Sequence, residues 1–428
     1  IFIVMKRRKV LQNLGLGVAS LPLFSFRNSS FDKPETWEGE FIPDKFDDEK
    51  FWKKFSKSHY NVADDFINLE NGYFGVQPIS VQKAYLNNIE KVNKYSSRYM
   101  RTDYSSDYQQ IVRQLAEFSR VDEEEILITR NATEAMNIII QGLELQRGDE
   151  VILHKQDYYS MIETFQMLEK QIGIKIRYIR IPLIPENDEQ IIEAYREAVS
   201  SRTKCILVTH LIHLTGQIMP VKKIADNFRP EGIEIIVDAA HSFAQMDYSL
   251  RDLGVDFIGV NLHKWFSNPL GAGMLYVKKD RVKDLKPLFG DSRKSVDDIR
   301  KLGHFGTLAT PTIMTIPEAK AFNEMVTIPV KEKRLRYLQN YWATKAEKID
   351  RVSVTTPLEP ARSCALASFK IDGISAKETV KNLFDQFKVF TVIRQLEDEQ
   401  VVRVTPNLYN STKDLDRLLE GLEELSKS

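Results

Sequence analysis

Two short apolar runs near the middle of the chain end on side chains that can do chemistry. Glu234 to Asp238 is followed by Ala239, Ala240 and His241, and Asp256 to Asn261 is followed at once by Leu262, His263 and Lys264. Taken singly, an acid after a buried strand is commonly a structural cap, and a lysine after a strand is commonly solvated. On neighbouring strands of one sheet, however, Asp238 and Lys264 would converge on a single crevice. A buried carboxylate and a buried amine there would each tune the other's protonation.

That pair is what a pyridoxal 5'-phosphate site requires. The cofactor's aldehyde needs an amine to form a Schiff base, and its ring nitrogen must stay protonated to act as an electron sink, which a buried carboxylate enforces. Lys264 and Asp238 fit those roles as the expected catalytic residues. Once exchanged for a substrate amine, Lys264 would be placed to act as the base at the substrate's α-carbon.

Asp238-Ala239-Ala240-His241, then His263-Lys264-Trp265 and Gly271-Ala272-Gly273, resemble in order and spacing the motifs of the class V aminotransferases. These are fold-type I pyridoxal phosphate enzymes, a group that includes isopenicillin N epimerase-like proteins, cysteine desulfurases and kynureninases. The resemblance runs from about Asn71 to the C-terminus. It implies that Asn131-Ala132-Thr133-Glu134 is the phosphate loop, with Ala132 and Thr133 at the cofactor. Its place between a strand and a helix agrees, since free N–H groups and the helix dipole there attract anions. The resemblance further implies that Tyr158 stacks on the pyridine ring, that His241 meets the phenolic oxygen, and that Asn261 and His263 contact the phosphate. Gly306-Thr307 resembles the segment that reaches the neighbouring subunit's phosphate, which implies a homodimer. Substrate contacts are implied for Arg403, which would take a carboxylate through two parallel hydrogen bonds, for Asn71 in an entrance loop, and for His213.

Within the family, the expected reaction lies at the α-carbon of an amino acid, by aminotransferase or isopenicillin N epimerase-like chemistry. A carbon–sulfur or carbon–carbon lyase is the alternative. A cysteine desulfurase needs a nucleophilic thiol on a loop shortly before Arg403, and Lys388 to Arg403 contains no cysteine. Five of the seven histidines, His210, His213, His241, His263 and His304, fall in one region, which raises a metallohydrolase as a reading from another mechanistic class. Neither HExxH nor a carboxylate-spaced ligand motif accompanies them, so no metal is expected. A nicotinamide site is not expected either, because Gly271-Ala272-Gly273 precedes a strand rather than a helix.

These residues must be held by a scaffold, and the apolar pattern supplies one. Candidate strands are Ile126 to Thr129, Glu150 to His154, Lys175 to Ile181, Cys205 to Thr209, Glu234 to Asp238, Asp256 to Asn261 and Gly273 to Val277. Helical segments such as Thr133 to Leu145, Ser160 to Gln171 and Asp188 to Val199 alternate with them, predicting an α/β fold with a mostly parallel seven-stranded sheet flanked by helices. A large cofactor-binding domain is expected over 71–329 and a smaller, strand-poor α+β domain over 330–428. An N-terminal extension over 27–70 precedes them.

The first 26 residues read differently, with Arg7-Arg8 before a short uncharged stretch, and resemble a twin-arginine export signal. The full chain of 428 residues balances 60 basic against 60 acidic side chains. That balance gives no reason to expect nucleic acid or a membrane surface as partner beyond the export signal. Two cysteines are too few for a disulfide framework.

Overall fold

The computed structural model describes residues 45–290, 293–303, 306–359 and 361–427. The export segment, the start of the N-terminal extension and His304 lie outside the described residues. Chain order begins with α1 (Glu49–His59), β1 (Ile67–Asn68) and the long helices α2 (Ile79–Thr102) and α3 (Tyr104–Ser119).

The large sheet follows, built from β2 (Ile126–Thr129), β3 (Glu150–His154), β4 (Lys175–Ile179), β5 (Thr203–Thr209), β6 (Glu234–Asp238), β7 (Phe257–Asn261) and β8 (Gly273–Val277). Helices α4 (Ala132–Gly142), α5 (Tyr159–Ile172), α6 (Asp188–Arg196) and α7 (Val221–Phe228) connect the strands. Strand order is β2-β8-β7-β6-β5-β3-β4. Strands β3 to β7 pair in parallel, whereas β8 runs antiparallel to both β7 and β2. The reversal has a local cause: residues 262–272 contain no helix to carry the chain back across the sheet, so β8 can only return alongside β7. Six of the seven strands are wholly or almost wholly buried, so they read as continuous apolar runs, and β4, with an exposed face, closes one edge.

Beyond α8 (Thr310–Met314) and α9 (Ile316–Val326), α10 (Ile328–Ala346) leads into the C-terminal lobe. That lobe contains β9 (Val352–Val354), β10 (Ala367–Ile371), α11 (Ala376–Phe387), β11 (Val389–Phe390), β12 (Val392–Leu396), β13 (Glu399–Val404) and α12 (Thr412–Ser426). Its four-stranded antiparallel sheet, β12-β13-β10-β9, corrects the expectation of a strand-poor unit. Strand β9 is three residues long and β12 is a half-exposed edge, so neither carries a strong apolar signal. Trp342 of α10 is fully buried and meets Phe369 of β10 edge-on at 6.0 Å, which locks the helix to the sheet.

The described residues fall in one compact unit. Part of the N-terminal extension is built into the C-terminal lobe: β1 pairs in parallel with β11, and Ser56 Oγ donates to the Tyr409 carbonyl at 3.1 Å. The fully buried Arg334 donates to Glu49 Oε1 at 2.6 Å and to the Phe46 carbonyl at 3.0 Å. This docking carries the chain from β1 to Tyr73, which lines both cavities of the site.

Candidate active site

Helix α4 starts where it does because Asn131, extended at φ −172°, caps it by accepting the Glu134 N–H at 2.9 Å. Glu134 reaches back to the Arg130 N–H at 2.7 Å, closing the turn. Asn261, the last residue of β7, accepts the Ala132 N–H on Oδ1 at 2.8 Å and ties the helix N-terminus to the strand end. Two glycines permit this approach. A Cβ on Gly273 would lie 2.5 Å from the Asn131 carbonyl carbon, and one on Gly259 would lie 2.6 Å from Met136 Sδ. Asn131→Ala is expected to lower stability by about 1 kcal/mol in a urea titration, and to weaken inorganic phosphate binding by loosening this turn.

Eight residues expected at this chain's cofactor, Ala132, Thr133, Tyr158, Asp238, His241, Asn261, His263 and Lys264, line one cavity of about 440 Å³, and Thr307, expected to reach a neighbouring subunit's phosphate, lines the same cavity. The positive end of the α4 macrodipole lies at one wall, a natural seat for a phosphate. Lys264 Nζ stands 2.9 Å from His241 Nε2. Burial pushes the Lys264 ammonium down to about 8, against the opposing pull of Asp238. The same burial, with the Lys264 charge beside it, holds His241 well below the usual imidazole range. A neutral His241 therefore accepts from the Lys264 ammonium, and its buried Nδ1 has no hydrogen-bond partner among the described residues.

Asp238 is 4 % exposed and spends Oδ1 on the Ala240 N–H at 2.9 Å. Burial raises its carboxyl above the ordinary range, while the Ala240 bond and the Lys264 charge work the other way. His263 contacts the Ala272 carbonyl at 3.2 Å and is depressed to about 4, chiefly by burial. A primary amine poised near neutrality, a buried carboxylate, an unpartnered imidazole nitrogen and a helix N-terminus form the donor set that pyridoxal phosphate requires. The residues present fit the group.

A second cavity of about 580 Å³ adjoins the first. Tyr73, Tyr158, His213, His241 and Lys264 line both, so the two meet at the amine. Tyr158 stands edge-on to His213 at 5.3 Å, and His213 stacks roughly parallel to His241 at 6.3 Å. Burial and the neighbouring Arg403 and Lys264 charges keep His213 neutral.

Two expected substrate contacts sit differently. Asn71 is 1 % exposed and turned into the lobe packing, donating to the Thr405 carbonyl at 2.9 Å and accepting from the Tyr409 hydroxyl at 2.6 Å. Its side chain is used as a brace and does not line either cavity. Arg403 does reach the second cavity, but its fork is already taken. Nη2 donates to Glu70 Oε1 at 2.5 Å, and Nη1 donates to the His213 carbonyl at 2.8 Å. Glu70 and Arg394, which places its Nη2 3.4 Å from Glu70 Oε1, were not singled out by the motifs. The available signals were the position of Glu70 immediately before Asn71 and of Arg394 on the strand pairing with Arg403.

Among the described residues no three His, Cys, Asp or Glu side chains gather closely enough to share a metal ion. His210 instead packs edge-on to Tyr248 at 4.9 Å.

A mostly parallel sheet with a lysine and an acid on adjacent strand ends, facing a helix N-terminus, defines the fold-type I class. Residues 79–418 match the family model described as Aminotransferase class-V, and the chain belongs to that family. It is similar to isopenicillin N epimerase of Streptomyces clavuligerus, at 24% identity over 70% of this chain and 80% of that one. It is also similar to a cysteine desulfurase of Haloferax volcanii, at 25% identity over 85% and 90%. The solved structure of a cysteine desulfurase from Thermococcus onnurineus superposes with a TM-score of 0.77 at 19% identity, covering 87% of this chain and 98% of that one.

Proposed function

We propose that this chain is a pyridoxal phosphate-dependent enzyme acting at the amine-bearing carbon of an amino acid, by transamination or epimerisation. The observation that carries the reading is Lys264 Nζ, 2.9 Å from His241 Nε2, in the same cavity as Asp238 and the α4 N-terminus. When bound, the cofactor supplies an exchangeable carbonyl and an electron-withdrawing ring. Asp238 would keep a proton on the ring nitrogen, Tyr158 would cover the ring face, and Ala132 and Thr133 would present the phosphate seat. Lys264 would hold the cofactor at rest. Released by the substrate amine, its Nζ would move the proton at the amine-bearing carbon, where a pKa of about 8 suits both directions of transfer near neutral pH.

Support for a second reading, side-chain elimination by a lyase, comes from the similarity to a cysteine desulfurase over 85% of this chain. A protein thiol is poorly placed to take part. Cys205 and Cys364 are fully buried, and burial pushes the Cys364 thiol up to about 12. The segment before Arg403 is a tight hairpin between β12 and β13, paired down to Leu396 and Glu399. We further propose a homodimer, on the resemblance of Gly306-Thr307 to the segment that reaches a neighbouring subunit's phosphate; sedimentation of the purified chain as a monomer would refute that part.

An amino-acid panel incubated in heavy water distinguishes the reactions. Epimerisation gives α-deuterated amino acid, transamination gives a keto acid, and elimination gives a fragmented side chain. Protein saturated with pyridoxal phosphate that remains colourless overturns the cofactor reading. Loading should also report the lysine: its rate should rise about tenfold between pH 7 and pH 9 and then level off, as a group titrating near 8 requires. A rate still climbing at pH 10 would mean that an ordinary exposed lysine reacts instead.

A further inference from the structure

Arg403 reaches the second cavity, but its guanidinium is already engaged by groups of this chain. Glu70 engages two of its nitrogens, Nη2 at 2.5 Å and Nε at 3.4 Å. The Gly72 backbone lies over the guanidinium so closely that a Cβ there would sit 3.0 Å from Cζ. Glu70 is itself fixed, accepting from the Tyr73 N–H at 3.1 Å and from Thr405 Oγ1 at 3.3 Å. A diffusing carboxylate would have to expel a tethered one that loses no translational freedom on binding. It would also leave the Glu70 charge in a site where that residue is only 9 % exposed.

Arg394 is in the opposite situation. In the β12–β13 register Arg403 faces Val392, so Arg394, two residues further along the same face, is its diagonal neighbour. Its side chain is 25% exposed and lines the second cavity. Glu397 and Asp398, which line the same cavity, lie against Arg180 at 3.3 and 3.8 Å. Glu70 is shared between the two guanidinium groups, so within the cluster of Arg403, Arg394 and Glu70 positive charge exceeds negative by one. The accessible share of that charge is on Arg394.

Building on the cofactor reading, we propose that Glu70 determines specificity by masking Arg403, so that Arg394 receives the substrate's acidic group. The preferred substrate is then a primary amine whose carboxylate is separated from the amine-bearing carbon by further bonds, rather than one with both groups on the same carbon. Lys264, His213 and Arg394 all line the second cavity, whose volume of about 580 Å³ is the room such a substrate would occupy.

The test uses holoenzyme and reads binding, through the change in near-visible absorbance when an amine exchanges with Lys264, without requiring turnover. The probes are L-alanine and D-alanine, with adjacent groups, and β-alanine and 4-aminobutyrate, with separated ones. Wild type should bind the better of the separated pair at least about tenfold more tightly than either alanine, the scale of one charge-assisted hydrogen bond. Glu70→Gln should tighten alanine binding about tenfold and narrow that preference. Arg394→Ala should weaken the separated pair about tenfold while leaving alanine within about threefold. A wild type that prefers alanine, or an Arg394→Ala variant with unchanged preference, overturns the proposal even if Glu70→Gln does not fold. Failure of the cofactor reading looks different, because the protein then has no chromophore and no mass adduct at Lys264 after reduction.

Discussion

Lys264→Ala is expected to lower turnover by about 10⁴-fold or more and to abolish attachment of pyridoxal phosphate that survives borohydride reduction. Both effects follow from one atom. In the proposed function Nζ would be the amine that exchanges with the substrate and also the base beside the reacting carbon. Lys264→Arg separates chemistry from charge, because a guanidinium keeps the positive charge near Asp238 but neither attaches nor accepts a proton at neutral pH. It should therefore be as inactive as the alanine variant. Intact-mass measurement of reduced protein and single-turnover kinetics check the two readouts. Residual attachment in either variant, or retention of even one percent of the rate, would remove Lys264 from the centre of the site.

The core of the site was legible because it hangs on uninterrupted strands. Asp238 and Asn261 are the last residues of β6 and β7, as the apolar runs predict, and strand ends in such sheets are where ligands bind. The α4 N-terminus was legible for a similar reason: Asn131 is a capping residue directly after an apolar strand. The direction of β8 was harder to read, since an apolar run does not state its orientation and only the helix-free 262–272 connection does. The masking of Arg403 lay further out of reach. Glu70 and Arg403 are 333 residues apart and meet only because β1 joins β11 and Glu70 bridges to Thr405. Asn71 illustrates the converse: its motif position is right beside the site, but the Thr405 carbonyl and the Tyr409 hydroxyl turn its amide away.

Asp238→Asn is expected to separate cofactor loading from catalysis. The amide keeps an Oδ1 to accept the Ala240 N–H, so the turn after β6 should persist, but it carries no charge to hold a proton on the cofactor's ring nitrogen. Losing one preorganised electrostatic partner at the reacting centre costs about 10²–10³-fold in kcat. Loading should move the other way. Asp238 is the larger of the two charges, with Glu70, that raise Lys264 against burial and against the charges of Arg403 and Arg394, so without it the Lys264 ammonium should titrate below its present value of about 8. At pH 7 more of the amine is then neutral, and the variant should load pyridoxal phosphate at least as fast as wild type while turning over poorly. If Asp238 were only a cap for the strand end, asparagine would serve equally well. Unchanged kcat together with an unchanged pH midpoint of loading would establish that lesser role.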